Sequence, residues 1–182
     1  MRPSGELLPG VRVLSLAPRF DERGFFARAY CKSTLADLDV DLPVAQANLS
    51  WSRERGTLRG LHYQLPPSAE TKLVTCVQGA VWDCVLDLRP ASPSFGRWAA
   101  VELSAANRAA IVVPPGCAHG FLTLEPDVLV LYFVSAAYDP SRERGVRFDD
   151  PRFSIDWPFA PSVVSARDRA HPDFDPVFHL AA

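Results

Sequence analysis

The chain has 182 residues, 48% of them hydrophobic, which suits a globular domain with a substantial core and is too apolar for a disordered chain. A formal net charge of -2 and a pI of about 6.1 exclude a general electrostatic pull toward nucleic acid or anionic membrane, so neither is an expected partner. A small anionic ligand held by local arginines fits better, and with no apolar signal core in Met1-Arg2-Pro3-Ser4-Gly5-Glu6 and no run of roughly 18 apolar residues, a cytoplasmic protein is expected.

Seventeen prolines and ten glycines break the sequence into short segments rich in Val, Leu, Phe and Tyr, the texture of an all-β barrel or sandwich with few, peripheral helices. In chain order, Ser33 is placed to cap a short helix running through Leu38. Gln78-Gly79-Ala80 reads as a turn, making residues 72–88 a hairpin. Along residues 81–89, Trp82, Cys84, Leu86 and Leu88 alternate with Asp83, Val85, Asp87 and Arg89, which predicts a half-buried strand. Glu125-Pro126-Asp127 turns into residues 128–134, apolar apart from Tyr132, as expected of a strand covered on both faces. Ser165-Ala166-Arg167-Asp168 has the form of a capping box. Cys31, Cys76, Cys84 and Cys117 form no CxxC pair and are expected to be reduced and mostly buried. Without repeat, low-complexity segment or linker, a single domain over residues 1–182 is expected.

The chemistry-bearing residues centre on Arg59-Gly60-Leu61-His62-Tyr63-Gln64. A metal-binding β-barrel commonly offers two histidines one residue apart, a downstream carboxylate and a later histidine. Here the second histidine is missing, although Pro114-x-Gly116-x-x-His119 keeps the later one; His62, His119 and Glu70 make a poor ligand set, and no metal is expected. A lone histidine in an apolar barrel is often a hydrogen-bonded core residue, but an imidazole, with a reference pKa of about 6.5, can also serve as a base if a carboxylate fixes its tautomer. Asp168 is the candidate carboxylate, with a helix-capping role beside Ser165 as the alternative. Lys72 is one of two lysines among nineteen basic residues, so solubility does not explain it, and an ammonium can stabilise an oxyanion. Tyr132 could be an ordinary core tyrosine or a proton donor aimed into the barrel. Arg23 and Arg59 each precede a glycine that permits close backbone approach, and paired arginines suit a diphosphate.

Taken together, Asp21-Glu22-Arg23-Gly24-Phe25-Phe26, Gln46-Ala47-Asn48-Leu49-Ser50, the His62 segment, Lys72-Leu73-Val74, Pro114-Pro115-Gly116-Cys117-Ala118-His119-Gly120-Phe121, Tyr132 with Tyr138, Trp157-Pro158 and Ser165 to Asp168 resemble the deoxythymidine-diphosphate-4-keto-6-deoxyhexose 3,5-epimerase family over nearly the whole chain. The resemblance implies a cupin-like jelly roll that needs no cofactor. In it His62 is the general base, Asp168 its orienting partner, Lys72 the stabiliser of an enolate and Tyr132 the acid on the opposite face. It further implies that Arg23, Gln46, Asn48, Arg59, His119 and Glu143 contact a nucleotide-diphosphate sugar, with Phe26 and Tyr138 as neighbouring aromatics. A homodimer in which N-terminal strands join the neighbouring subunit's sheet is implied as well. Two positions depart from the family: Arg28 stands where a glutamate is usual in the nucleotide site, and Arg167 replaces a lysine. The second keeps its charge and the first reverses it, which bears on the base or sugar accepted. Inversion at C3 alone or C5 alone, a related ketoisomerase, a non-catalytic sugar-nucleotide-binding cupin and a metal-dependent cupin are the competing readings.

Overall fold

The computed structural model describes residues 1–181; Ala182, the last residue of the expected domain, lies outside them. Strands β1 (Arg2–Leu8) and β2 (Val11–Ser15) are followed by the short pair β3 (Arg19–Asp21) and β4 (Gly24–Phe26) and helix α1 (Lys32–Ala36). Then come β5 (Gln46–Ser52), β6 (Thr57–Gln64), β7 (Lys72–Gln78), β8 (Ala80–Asp87), β9 (Trp98–Ser104), β10 (Ala109–Val113), β11 (Cys117–Thr123) and β12 (Val128–Val134). The chain closes with β13 (Glu143–Gly145), β14 (Val163–Val164) and helices α2 (Ala166–Arg169) and α3 (Pro176–Leu180).

Two sheets make a jelly-roll sandwich of the cupin-like kind. One runs in the order β1-β2-β10-β7-β12-β5, the other β13-β6-β11-β8-β9, with β14 added in parallel beside β6. Between them Val74, Ile111 and Val130 of the first sheet meet Val85, Leu103 and Phe121 of the second in a buried core. Side chains alternate along each strand, so the same strands present a second set of residues outward.

That outer set explains where the sequence expectations fail. The strand at β8 exists but is buried on both faces, because Val146, Phe153, Trp157 and Phe174 of the C-terminal segment pack over Cys84, Leu86 and Leu88. Asp83 and Asp87 are wholly buried rather than solvated. Residues 72–88 are no hairpin either: β7 pairs with β10 and β12 while β8 pairs with β9 and β11, so the turn at Gly79 is a corner between sheets. Conversely β12, expected to be covered twice, buries Val128, Val130 and Val134 inward but leaves Leu129, Leu131 and Phe133 half-exposed outward. Helix α1 starts earlier than expected, with Cys31 as its N-cap and no side-chain cap. The C-terminal capping box is present: Ser165 Oγ accepts the Asp168 backbone N–H at 3.0 Å. All four cysteines are free, with Cys76, Cys84 and Cys117 buried.

The second sheet is narrowed at one point by two glycines. A Cβ on Gly60 (φ +119) would lie 2.5 Å from the Gly120 Cα, and one on Gly120 would lie 2.6 Å from the Arg59 carbonyl oxygen. The close approach that Gly60 permits is thus between β6 and β11. Replacing Gly120 by alanine should force β6 outward and cost about 1–3 kcal/mol, the usual range for overpacking, read as a lower urea midpoint at unchanged slope; a midpoint equal to wild type would show that the strands can part freely.

Candidate active site

Strand register fixes the site before any side chain is considered. On β6, His62 lies opposite His119 of β11 on one side and Gly145 of β13 on the other. On the facing sheet Tyr132 of β12 lies between Asn48 of β5 and Val74 of β7, and the next inward row is Gln46, Val134 and Lys72. The inward positions of both sheets therefore open onto one hollow, where the sandwich is left unfilled by core residues.

The hollow has two adjoining parts. A cavity of about 440 Å³ is lined by Arg59, His62, Lys72, His119, Tyr132, Arg167 and Asp168, and one of about 280 Å³ by Gln46, Asn48, His62, Lys72, Tyr132, Tyr138 and Glu143. His62, Lys72 and Tyr132 belong to both, so they sit at the junction. Arg23, Phe26 and Arg28 are elsewhere. Arg23 is at the tip of the exposed β3–β4 hairpin, paired with Asp21 at 2.6 Å, while Phe26 and Arg28 line a separate hollow with Arg2 and Arg19. Within one chain the structure does not bring these three to His62.

The His62 Nε2 lies 2.7 Å from Asp168 Oδ1. Burial alone would raise the Asp168 pKa, but the imidazoles of His171 and His62 and the Gly60 N–H outweigh it and hold the carboxyl well below the usual range. An ionised carboxylate only accepts hydrogen bonds, so His62 Nε2 donates and Nδ1 keeps the lone pair. The capping box and the carboxylate pair coexist in Asp168, because the cap uses its backbone N–H and His62 uses its side chain.

Lys72 Nζ donates to the His62 carbonyl oxygen at 3.1 Å and pairs with buried Glu70 at 3.2 Å. Gln64 also donates to Glu70, at 2.6 Å. On the opposite wall burial pushes the Tyr132 pKa up; Arg59 opposes this and Glu70 adds to it. His119 Nε2 is held by Asp83 at 2.9 Å. Arg59 reaches to the edge strand β5 of the facing sheet, donating to Ser52 Oγ at 3.1 Å and to the Trp51 carbonyl at 2.8 Å. At the mouth, Glu143 accepts from Tyr138 Oη at 2.6 Å and pairs with Arg167. Burial works against the Glu143 anion, yet these two partners keep its pKa below the ordinary value.

Three contributors escaped the sequence reading. Asp83 was assigned to a solvated face by its alternation, and the pairing of Glu70 with Lys72 had no spacing signal. His171, three residues after Asp168, lies 3.7 Å from its Oδ1 and edge-on to His62; the only available hint was its place in the turn after the capping box. The metal set considered from sequence does not assemble, since His119 is engaged by Asp83 and Glu70 by Lys72 and Gln64.

An imidazole–carboxylate pair on one wall and a phenol on the other equip a cupin-like jelly roll for acid/base isomerisation. Residues 6–176 match the family model for dTDP-4-dehydrorhamnose 3,5-epimerase, and the chain belongs to that family of isomerases. It is 44% identical over 176 residues to the Mycobacterium tuberculosis dTDP-4-dehydrorhamnose 3,5-epimerase, covering 93% of this chain and 86% of the relative. It is 39% identical over 170 residues to a Streptomyces niveus dTDP-4-dehydrorhamnose 3-epimerase, covering 93% and 81%. The crystal structure of the Bacillus anthracis 3,5-epimerase with TDP and pyrophosphate bound superimposes with a TM-score of 0.88 at 41% identity, over 90% of this chain and 94% of that one.

Burial raises the Tyr132 pKa, so the phenol holds its proton more firmly than an exposed tyrosine does. In an ultraviolet pH titration, the difference between wild type and Tyr132→Phe should show one phenol ionising above about pH 10, the reference value. A midpoint at or below that value would contradict the burial argument.

Proposed function

We propose that this chain converts dTDP-4-dehydro-6-deoxy-D-glucose into dTDP-4-dehydro-L-rhamnose by inverting C3 and C5. The observation that carries the reading is the His62–Asp168 pair and Tyr132 on opposite walls of one cavity. Inversion at a carbon beside a ketone requires exactly two proton transfers on opposite faces, and this is an arrangement that supplies them.

In the proposed course, the His62 Nδ1 lone pair takes the proton from the carbon next to the C4 ketone. The C–H electron pair becomes the new C–C double bond and the carbonyl pair moves onto O4. Asp168 stabilises the imidazolium through the Nε2–H bond, and the Lys72 ammonium stabilises the O4 enolate. As the ketone re-forms, Tyr132 delivers a proton to the other face of the carbon. His62 then loses its proton and the Tyr132 phenolate regains one through solvent, so the net change is inversion alone. The same sequence at the second carbon completes the reaction.

Arg59, Arg167, His119, Gln46, Asn48, Tyr138 and Glu143 surround the junction and are assigned to the nucleotide and sugar. Arg23, Phe26 and Arg28 are assigned to a neighbouring subunit's site in a homodimer. Their exposure on the β3–β4 hairpin and the exposed Leu49 and Trp51 on the outer sheet face support that assembly. Arg28, with its reversed charge, is the position that bears on the base recognised, the placement of the diphosphate or the sugar accepted. No helix among the described residues is long and apolar enough to cross a membrane, and a cytoplasmic location is proposed. Epimerisation at C3 alone is the second reading, favoured by the 39% identity to the Streptomyces niveus 3-epimerase.

Proton NMR in deuterium oxide with the thymidine-linked 4-keto sugar reads exchange at C3 and C5 separately. Loss of both signals is expected for double epimerisation and loss of the C3 signal alone for the second reading; exchange at neither carbon would end the epimerase proposal. His62→Ala and Asp168→Asn should each lower the exchange rate by about 10²–10⁴-fold, the range general base catalysis contributes. Tyr132→Phe should still exchange while its product stereochemistry degrades, and full activity in all three variants would remove the assignment.

A further inference from the structure

His171 has no part in the proton transfers above, yet it is aimed at the same carboxylate. Its Nε2 is buried, has no hydrogen-bond partner and lies 3.7 Å from Asp168 Oδ1. Its ring stands edge-on to that of His62 with centroids 5.8 Å apart. It rests on Gly145, the register partner of His62, where any Cβ would fall on the imidazole. One ligand atom from each of His62, Asp168 and His171 falls within a 4.8 Å cluster.

A buried ring nitrogen without a partner calls for an explanation. Two imidazoles and a carboxylate with one side open to a cavity are the donor set and coordination number of a three-ligand zinc site that leaves a position for solvent. Bonds of about 2.0–2.1 Å at tetrahedral angles place ligand atoms about 3.3 Å apart. From 2.7 Å between His62 and Asp168 and 3.7 Å between His171 and Asp168, these two pairs need move only by about half an ångström to reach that spacing, and the two imidazoles, within 4.8 Å of each other, would have to close further.

We propose that His62, Asp168 and His171 form an inhibitory binding site for a divalent transition metal, zinc foremost. The chemistry of inhibition follows from the tautomer. A metal on His62 Nε2 takes the lone pair of that nitrogen, so the neutral ring must carry its proton on Nδ1. The base is then blocked without any change in the wall around it. Asp168, bound to the metal, no longer accepts the Nε2–H bond that stabilised the imidazolium. Zinc therefore competes with catalysis rather than serving it.

The inhibitory half rests on the epimerase reading, whereas binding does not. Chelator-treated full-length protein is titrated with Co²⁺ and with Zn²⁺ without substrate, following visible ligand-field bands and heats of binding. One ion per chain is expected for wild type. His171→Gln, which keeps the bulk of the side chain, should lose about 100-fold in affinity, the upper end of what losing even an outer partner of a ligand costs. Asp168→Asn should lose as much and serves if His171→Gln is misfolded by circular dichroism. In the exchange assay, zinc inhibition is scored against each protein's own zinc-free rate, and the inhibiting concentration should rise by the same factor in His171→Gln. No stoichiometric binding, or affinity unchanged in both variants, overturns the site. Binding without inhibition overturns the control, and an absence of any exchange in zinc-free protein strikes the epimerase reading while leaving the cobalt spectra to decide the site.

Discussion

Asp168 has only 6% of its side chain exposed and still holds its charge, and the arrangement of the cavity depends on that. Desolvating a carboxylate is costly unless hydrogen bonds and opposite charge replace the water. Here the replacement comes from the neighbouring imidazoles and from one backbone N–H of β6. Because the anion can only accept, it dictates the tautomer of His62, and through the tautomer which nitrogen is basic. A neutral acid in the same place could donate to Nε2 and would leave the proton on the wrong side of the ring.

The two walls are tuned in opposite directions. Two imidazoles and the Gly60 N–H overcome burial to keep Asp168 ionised beside His62, while burial keeps the Tyr132 phenol protonated across the hollow. Separating titratable groups in this way is how one site holds an acid and a base at the same pH. His62 and Tyr132 are on different sheets, so the imidazole and the phenol are held apart by the strand order. Lys72 lies on β7, its charge balanced by Glu70 in the lining of the same cavity.

Much of this was legible in the residues. The short Pro- and Gly-bounded segments pointed to an all-β sandwich, and the solitary His62, the scarce Lys72 and the misplaced Tyr132 stood out by type. What periodicity could not give was the third layer. Cys84, Leu86 and Leu88 read as the core face of the β8 segment yet lie under the C-terminal segment, while Asp83 shares the inward face with Val81 and Val85 and loses its water there. The turn at Gly79 has the residues of a hairpin, yet the chain changes sheets there, because a local turn signal carries no information about which strand will be the neighbour. His171 and Glu70 act through contacts distant in kind from any motif, one across a helix end and one beneath a lysine. Arg23 and Phe26 were singled out by motif but lie on the β3–β4 hairpin, with Arg28 just beyond it, away from the cavity.

The segment that covers the outer face of β8 also carries Asp168. Residues 146–180 pack Phe153, Trp157 and Phe174 onto the second sheet and, between Trp157 and Phe174, present the carboxylate to His62. The carboxylate that sets the tautomer of His62 is therefore held by the covering layer and not by either sheet. The tail is thus at once the cover of one sheet and a wall of the cavity, and a change that loosens the first loosens the second.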